Sequence, residues 1–230
     1  MLTSTTQYNE YKLLVPHHQL RYTKELLESL YGGSDPYPSG LVDSIYFDTL
    51  GEDFYHQCLN GHGQKTKFRI RGYGGAFNQI HLKAKDLYGV AKKKASIKDL
   101  MLKAQEWPDM RWLHPKTVDD PSFAEILTKA NAFGPLFPVI RVKYQRQRFR
   151  VFDIRITLDT EIRVQGFSNG RDNSAQAALL PFHVMEIKTP DVRPHQPLLG
   201  LLRLQQVSFS KFYIGLNLLK YGSIEPGLLL

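Results

Sequence analysis

The sequence predicts an α+β protein in which an antiparallel β-barrel of about eight strands carries helices packed outside it. Three observations predict this class. About eight segments alternate polar and apolar residues with a period of two, as half-buried strands do. Helical patterns interrupt and follow these segments. The length of 230 residues suits a single barrel domain, so we expect one domain over residues 1–230.

The clearest strand is DIRITLDTEIRV, at residues 153–164. Its odd positions are polar and include Arg155, Asp159 and Glu161, while its even positions are nearly all apolar. Such alternation places the two kinds of side chain on opposite faces of a strand. Both signs of charge therefore share one face, which either meets water or lines a site.

The N-terminal half reads as strands separated by helical turns. A first strand at residues 8–15 precedes an amphipathic helix that begins after Pro16 and is stopped by glycines at 32–33. A strand at 41–49 and a short helix or turn at 51–61 follow. Three consecutive strands with Lys or Arg at alternate positions are then predicted, at residues 64–75, 78–89 and 90–97.

The C-terminal half opens with a helical insertion at about 100–138, in which a helix starting at Pro121 ends at Gly134. The strand RVKYQRQRFRVF forms a hairpin with DIRITLDTEIRV, and a polar loop around GFSNGRDNSAQAA precedes the strand FHVMEIKTP. Glu186 and Lys188 share a face of that strand. Two C-terminal helices at about 196–222 flank SFSK.

Composition limits the classes of function. The formal charge of +8 favours anionic partners. The charge lies in strand-like segments and not in a basic helix, so nucleic acid is not the expected partner; if it were, duplex binding would depend strongly on salt. The single cysteine, Cys58, and the absence of a long apolar run predict a protein without a membrane span in a reducing, cytoplasmic setting.

Lys and Arg dominate the polar faces of neighbouring strands, where like charges repel. In a single antiparallel strand such charge could simply be the solvated face. Over many strands it is easier to explain if the face binds a polyanion, with the few carboxylates holding a divalent metal. In a closed barrel these side chains would line the interior at intervals of about 6.6 to 6.8 Å along each strand.

Six motifs in order resemble the VTC domain (vacuolar transporter chaperone), the polyphosphate polymerase domain of the triphosphate tunnel metalloenzyme, or CYTH-like, superfamily. They are EYKLLV, SIYFDT, KFRIRGYGG, YQRQRF with RITLDT, MEIK and FSKFYIG. The resemblance implies a β-tunnel that binds ATP and inorganic polyphosphate with Mn²⁺ or Mg²⁺. It also implies transfer of the ATP γ-phosphate to a polyphosphate chain, and any coupling to a membrane would need a separate membrane protein.

The resemblance and the strand faces together nominate the site residues. The catalytic candidates, which would clamp or track the reacting phosphates, are Arg69, Arg71, Lys83, Arg146 and Arg155. Further phosphate contacts are expected from Lys12, Lys67, Lys85, Lys94, Lys188, Ser210 and Lys211. The metal candidates are Glu186, which matches the metal-binding glutamate of the family, and Glu10.

Two departures from the family pattern leave other functions open. His81 stands where the family usually has glutamate, and Ser208 stands where many members have lysine. One alternative is hydrolysis of inorganic or nucleoside triphosphate, although relatives with that activity tend to carry E-x-E-x-K, of which only Glu10 and Lys12 remain. The other alternative is a noncatalytic module that binds polyphosphate.

Overall fold

A computed structural model of the chain describes residues 9–61, 63–74, 76–86, 89–96, 121–168, 171–191 and 196–224. Within these segments the strands are β1 (Asn9–Pro16), β2 (Ser39–Asp48), β3 (Lys65–Tyr73), β4 (Ala76–Asp86), β5 (Gly89–Ser96), β6 (Phe137–Val151), β7 (Ile154–Ser168), β8 (Arg171–Leu179), β9 (Phe182–Thr189) and β10 (Gln205–Gln206). The helices are α1 (Leu20–Tyr31), α2 (Asp53–Leu59), α3 (Pro121–Asn131), α4 (Gln196–Leu202) and α5 (Lys211–Tyr221).

The strands form one antiparallel sheet in the order β10-β1-β9-β7-β6-β2-β3-β4-β5, and β8 pairs with β7. Among the described residues, the hydrogen-bonded order does not return to its start. The sheet is nevertheless curled, because Lys83 on β4 interacts electrostatically with Glu10 and Lys12 on β1. The α+β class predicted from the sequence is confirmed, and the curled sheet encloses an interior.

The strand assignment needs two corrections. The polar loop predicted around GFSNGRDNSAQAA is wrong, because β7 extends to Ser168 and β8 pairs back against it. The β8 sequence RDNSAQAAL is poor in β-branched and aromatic residues, so its strand conformation depends on pairing with β7 and not on local propensity. The two-residue strand β10, which pairs with β1, was also not predicted, and the described strands number ten instead of about eight.

Helices α1 and α4 cover the outer side of β1, β7 and β9, as the sequence predicts for helices outside a barrel. A buried apolar cluster joins Leu27 of α1 and Leu198 of α4 to Leu13, Ile156 and Met185 of the three strands. The charged side chains of these strands leave the backbone on the opposite face. This packing holds one wall of the interior in place.

Helix α5 packs against the inward face of the sheet, which the sequence did not predict. The ring of Phe212 stacks on the Tyr46 ring with centroids 5.4 Å apart. A Cβ atom added at Gly215 would lie 2.7 Å from Ile140 Cδ1 and 2.9 Å from Val164 Cγ1. The helix therefore fills part of the interior, and its N-terminus faces the charged remainder.

The predicted insertion at about 100–138 is described only in its second part. Helix α3 confirms the helix predicted after Pro121, whereas residues 97–120 lie outside the described segments. The C-terminal helices expected at about 196–222 are α4 and α5. Among the described helices, none combines the length and the apolar character that a membrane crossing would need.

Candidate functional site

Charged side chains from β1, β3, β4, β6, β7, β9 and α5 converge on the interior. We call this set the interior cluster, and its cations outnumber its carboxylates. It comprises Glu10, Lys12, Lys67, Arg69, Arg71, Lys83, Arg146, Asp159, Glu186, Lys188 and Lys211. The alternation read from the sequence produces it: on β3, Phe68 and Ile70 are buried in the apolar core while the basic residues between them face inward.

The two arginines of β3 are held by hydroxyl groups. Arg69 donates from Nη1 to the Tyr46 hydroxyl at 2.9 Å. Arg71, which is 7% exposed, donates from Nε to Ser44 Oγ at 3.1 Å and from Nη2 to the Tyr144 hydroxyl at 3.2 Å. Neither arginine forms an ion pair with a carboxylate in the described part of the chain. Both positive charges therefore remain available to an anion.

Tyr46 is affected by these charges. Burial alone would raise the pKa of its phenol, but the nearby guanidinium groups of Arg69 and Arg71 outweigh burial and lower it to about 7. The phenol therefore releases its proton more readily than an ordinary tyrosine. It lies where an entering phosphate would compete with it for Arg69.

Arg146 differs from Arg69 and Arg71 because it has a buried counter-ion. Its Nε and Nη2 donate to the two carboxylate oxygens of Asp159 at 2.6 and 2.8 Å, and Lys211 Nζ lies 2.6 Å from Asp159 Oδ2. Burial opposes the charge of Asp159, but Lys211 and Arg146 hold its pKa well below the usual range. This triad ties α5 to β6 and β7.

The carboxylates of Glu10 and Glu186 share a lysine. Lys188 Nζ lies 3.2 Å from Glu10 Oε2 and 3.1 Å from Glu186 Oε1, while Lys12 Nζ lies 3.1 Å from Glu10 Oε1. The Glu186 side chain is only 14% exposed. Although burial raises both carboxyl pKa values, the adjacent lysines outweigh it and lower them, so both groups are ionised at neutral pH.

The N-terminus of α5 forms one wall of the cluster. Ser210 caps the helix by accepting from the Tyr213 amide at 3.4 Å, and Lys67 Nζ donates to the same Ser210 Oγ at 2.7 Å. Lys12 Nζ donates to the Phe209 carbonyl oxygen at 2.8 Å. Burial, together with Lys12 and Lys83, lowers the pKa of Lys67 to about 8. The dipole of α5 adds a partial positive charge at this N-terminus.

The remaining predicted residues lie at different depths in the interior. Lys83 is half-buried in the cluster, and burial lowers its pKa despite the attraction of Glu10. Arg155 shares a strand face with Asp159 and pairs in register with Lys188, but its side chain is exposed, so it lies at the rim and not in the enclosed interior that the sequence led us to expect. Strand register places Lys85 two residues beyond Lys83 on β4, and Lys94 opposite His81. The side chains of Lys85 and Lys94 lie outside the described residues.

The two departures from the family pattern lie in different environments. His81 is 3% exposed, pairs in register with Arg69, and has its Nε2 atom 3.2 Å from Gln79 Oε1. Ser208 is exposed in the segment before α5. Replacement of a glutamate by histidine therefore removes a carboxylate from the interior wall, whereas Ser208 changes only a solvent-facing position.

A divalent metal fits the donor set near β1 and β9. Within the described segments no three His, Cys, Asp or Glu side chains are grouped as a metal site. Glu10 and Glu186 nevertheless present two carboxylates to Lys188, and half-buried Thr157, opposite Glu186 in register, has a buried Oγ1 atom without a hydrogen-bond partner. Mg²⁺-type ions commonly bind one or two carboxylates and take further oxygens from substrate phosphates. The residues are therefore sufficient for a metal that is shared with a phosphate ligand.

Sequence reasoning missed the residues whose hydroxyl groups orient the cations. Tyr46 is buried and its hydroxyl contacts Arg69, and neither Tyr46, Ser44 nor Tyr144 was singled out from the sequence as a site residue. Asp159 contacts Arg146 and Lys211, so it balances cations of the cluster. The position of Tyr46, Ser44 and Tyr144 on inward faces of charged strands was the signal that could have identified them.

Comparison with known proteins identifies the family of this chain. The family model of the VTC domain matches residues 7–220. No curated protein matches the sequence significantly. Solved structures with a similar fold include a candidate adenylyl cyclase from Hippeastrum, described as having a dominant triphosphatase activity. It is 16% identical, with a TM-score of 0.60, over 96% of this chain and 98% of that one.

A candidate adenylate cyclase from Bacillus halodurans is also similar, with 15% identity and a TM-score of 0.56 over 87% of this chain and 92% of that one. At such identities these two structures support the fold alone. The family model, in contrast, matches residues 7–220, which is almost the whole sequence. The chain belongs to the VTC domain family.

Proposed function

We propose that the protein is a polyphosphate polymerase-type phosphotransferase, which moves the γ-phosphoryl group of ATP to the end of a polyphosphate chain. The observation that carries this proposal is the interior cluster, in which Arg69 and Arg71 lack carboxylate partners among the described residues while ionised Glu10 and Glu186 lie nearby. Cations without counter-ions suit a polyanion, and arginine binds phosphate oxygens in a bidentate manner.

Phosphoryl transfer depends on positioning and charge neutralisation more than on covalent chemistry by the protein. In the proposed reaction, Arg69 and Arg71 bind the oxygens of the transferred phosphate, and Arg146 binds the neighbouring one. A terminal oxygen of the polyphosphate chain attacks the γ-phosphorus, a new P–O–P bond forms, the bond to the β-phosphate oxygen breaks, and ADP leaves. Lys12, Lys67 and Lys83 follow the chain, and exposed Arg155 at the rim contacts its outer part.

Glu10 and Glu186 would hold Mn²⁺ or Mg²⁺, which when bound supplies positive charge to the phosphate oxygens. Both carboxylates are ion-paired with lysines. Lys12 and Lys188, which pair with these carboxylates, would contact the phosphates when Glu10 and Glu186 hold the metal. Ser210 and Lys211, at the N-terminus of α5, complete the proposed phosphate contacts.

Incubation with ATP and Mn²⁺ tests the assignment through the products. The proposal predicts long-chain polyphosphate and ADP in proportion to the phosphate transferred, and a metal chelator should abolish both. Accumulation of inorganic phosphate without polymer would instead identify a hydrolase. Tight binding of polyphosphate with no turnover of ATP would contradict any catalytic role.

Hydrolysis of a triphosphate is the second candidate, because a similar structure is described as having a dominant triphosphatase activity. In that reaction water replaces the terminal polyphosphate oxygen as the attacking group. Among the residues that the structure describes, the interior has few carboxylates that could orient water, and Asp159 is committed to Arg146 and Lys211. This observation favours transfer to a phosphate acceptor over transfer to water.

We further propose a cytoplasmic setting, where ATP is abundant and the one cysteine, Cys58, stays reduced. Burial raises the pKa of the Cys58 thiol, which suits a structural and not a nucleophilic cysteine. We also propose that a separate membrane protein takes up the polyphosphate.

A further inference from the structure

A groove of about 340 Å³ lies on the outer face of β6, β7 and β8. Its basic lining consists of Arg141, Lys143 and Arg163, and its apolar lining includes Ala177 and Leu179. We call it the outer groove. Neither the sequence motifs nor the interior cluster assigns any role to it.

The outer groove is separated from the interior by the thickness of the sheet. Neighbouring residues of a strand point to opposite faces. Tyr144 contacts Arg71 inside, so Lys143 lies outside, and Val164 packs on Gly215 of α5 inside, so Arg163 lies outside. A ligand in the outer groove would not contact the interior cluster.

The charges of the outer groove are not balanced. Lys143 and Arg163 are directly opposite each other in the register of β6 and β7, an arrangement that is unfavourable for two like charges. Arg163 is exposed and forms no ion pair with any residue that the structure describes. Lys143 Nζ is 3.8 Å from Asp43 Oδ2, but Arg141 already binds that carboxylate with contacts of 2.8 to 3.2 Å.

Apolar side chains adjoin these cations. Leu179 pairs in register with Arg163 and is 47% exposed, and Ala177 pairs with Gln165 on the same face. A simple inorganic anion would leave these apolar side chains in contact with water. A ligand that joins an anionic group to an apolar body would satisfy both halves of the groove.

We propose that the outer groove binds a phosphate group carried on an apolar body. The phosphate would lie between Lys143 and Arg163 and relieve their mutual repulsion, and the apolar part would cover Leu179. Arginine and lysine together favour phosphate because the guanidinium binds two oxygens and the ammonium adds a compact charge. A soluble organophosphate and an anionic phospholipid headgroup share this chemistry.

Phenyl phosphate is the soluble probe, and amide chemical shifts of the full chain are the measurement. Saturable shifts are expected at Arg163 and Leu179, with an apparent affinity at least tenfold weaker in the Lys143→Ala/Arg163→Ala variant. The Arg21→Ala/Lys129→Ala variant removes the same charge from exposed helix positions and should bind as the unmodified protein does. Retained binding of tripolyphosphate in the interior will verify that the groove variant is folded. If the double variant does not fold, the single variant Arg163→Gln replaces it in the same measurement.

Vesicles distinguish the two sources of phosphate. If vesicles containing phosphatidic acid sediment the unmodified protein and the helix control but not the groove variant, the ligand is a lipid headgroup. If phenyl phosphate binds and vesicles do not, it is a soluble organophosphate. The proposal is overturned if neither probe binds, or if the groove variant and the helix control lose binding equally.

Discussion

Three arginines that face the interior are bound in two different ways. Arg69 and Arg71 are held by hydroxyl groups of Tyr46, Ser44 and Tyr144, so their orientation is fixed without a carboxylate partner in the described part of the chain. Arg146 instead shares the one carboxylate of Asp159 with Lys211, so this triad keeps one net positive charge. A hydroxyl partner leaves the guanidinium attractive to phosphate, whereas a carboxylate partner stabilises the fold.

Asp159 is therefore expected to matter for stability. Replacement by asparagine would leave Arg146 and Lys211 buried without a counter-ion, and the loss of one member of a buried ion pair costs about 3–5 kcal/mol. Urea unfolding at neutral pH measures this loss. Adding Lys211→Met should recover part of it, and an Asp159→Asn variant as stable as the unmodified protein would show that the triad is not a structural tie.

Glu186 is expected to matter for turnover and not for folding. Glu186→Gln keeps the size and polarity of the side chain but removes the charge needed for a metal ion, so metal-dependent turnover of ATP should fall by about 100-fold or more. The free energy of unfolding should change much less than it does in Asp159→Asn.

Exposed Glu25→Gln on α1 is the matched control for this change, since it removes the same charge from a surface ion pair with Arg21. Metal-dependent turnover that is equal in the Glu186 and Glu25 variants would refute the metal assignment.

At the scale of elements, α5 decides how much of the interior remains open to a ligand. Close approach of its backbone to β6 and β7 is possible because position 215 has no Cβ. The same helix places Ser210 and Lys211 in the cluster. The packing at Gly215 and the binding of phosphate are therefore coupled through one helix.

Alanine at position 215 tests this packing. Its Cβ would lie within 2.9 Å of Ile140 and Val164, and overpacking costs about 1–3 kcal/mol, which exceeds the gain of about 1 kcal/mol in helix propensity. Gly200→Ala on α4 is the control, because a Cβ there meets no atom within 4 Å. Thermal unfolding should show a lower midpoint for Gly215→Ala and an unchanged or higher one for Gly200→Ala. Equal midpoints would mean that α5 can move without cost.

At the scale of the whole molecule, sequence periodicity predicted more than sequence composition did. The strict alternation of β3 identified which side chains face inward, because a period of two fixes the face of every residue. Strand β8 was missed because its residues have little preference for strand conformation and only its pairing with β7 makes it one. The local sequence pattern thus identifies strands whose own residues alternate or favour the strand conformation.

Depth along the interior could not be predicted in the same way. Arg155 and Asp159 share a face of β7, yet Arg155 is exposed at the rim and Asp159 is 1% exposed at the centre. Their difference arises from how the sheet curls and from where α5 packs, which are long-range contacts. The position of α5 itself depends on Gly215 and its two apolar neighbours, a contact between segments far apart in sequence.

Acid stability is a property of the whole fold to which several buried ionisable groups contribute, and His183 is one that makes the fold less stable as the pH falls. His183 is 3% exposed and neither of its ring nitrogens has a hydrogen-bond partner. Burial, with His17 at a ring distance of 4.5 Å and Lys24 nearby, lowers its pKa to about 4, and Glu161 offsets this only in part. The interior carboxylates, whose pKa values are also lowered, contribute stability that is lost only below their unfolded values near 4.

The direction in which His183 changes the stability with pH follows from proton binding. Between pH 6.5 and 4 the unfolded chain protonates His183 while the folded protein does not, so the stability falls as pH falls, by at most about 1.4 kcal/mol per pH unit. Between pH 7.5 and pH 5.0 His183 therefore makes the protein less stable by about 2 kcal/mol, and Asp48, whose pKa burial raises to about 6, offsets part of this loss. Urea unfolding at the two pH values measures the net change. His183→Gln, which cannot titrate, should remove about 2 kcal/mol of loss relative to the unmodified protein, while His56→Gln on α2 should leave the pH dependence unchanged. The same pH dependence in His183→Gln and in the unmodified protein would refute the contribution of His183.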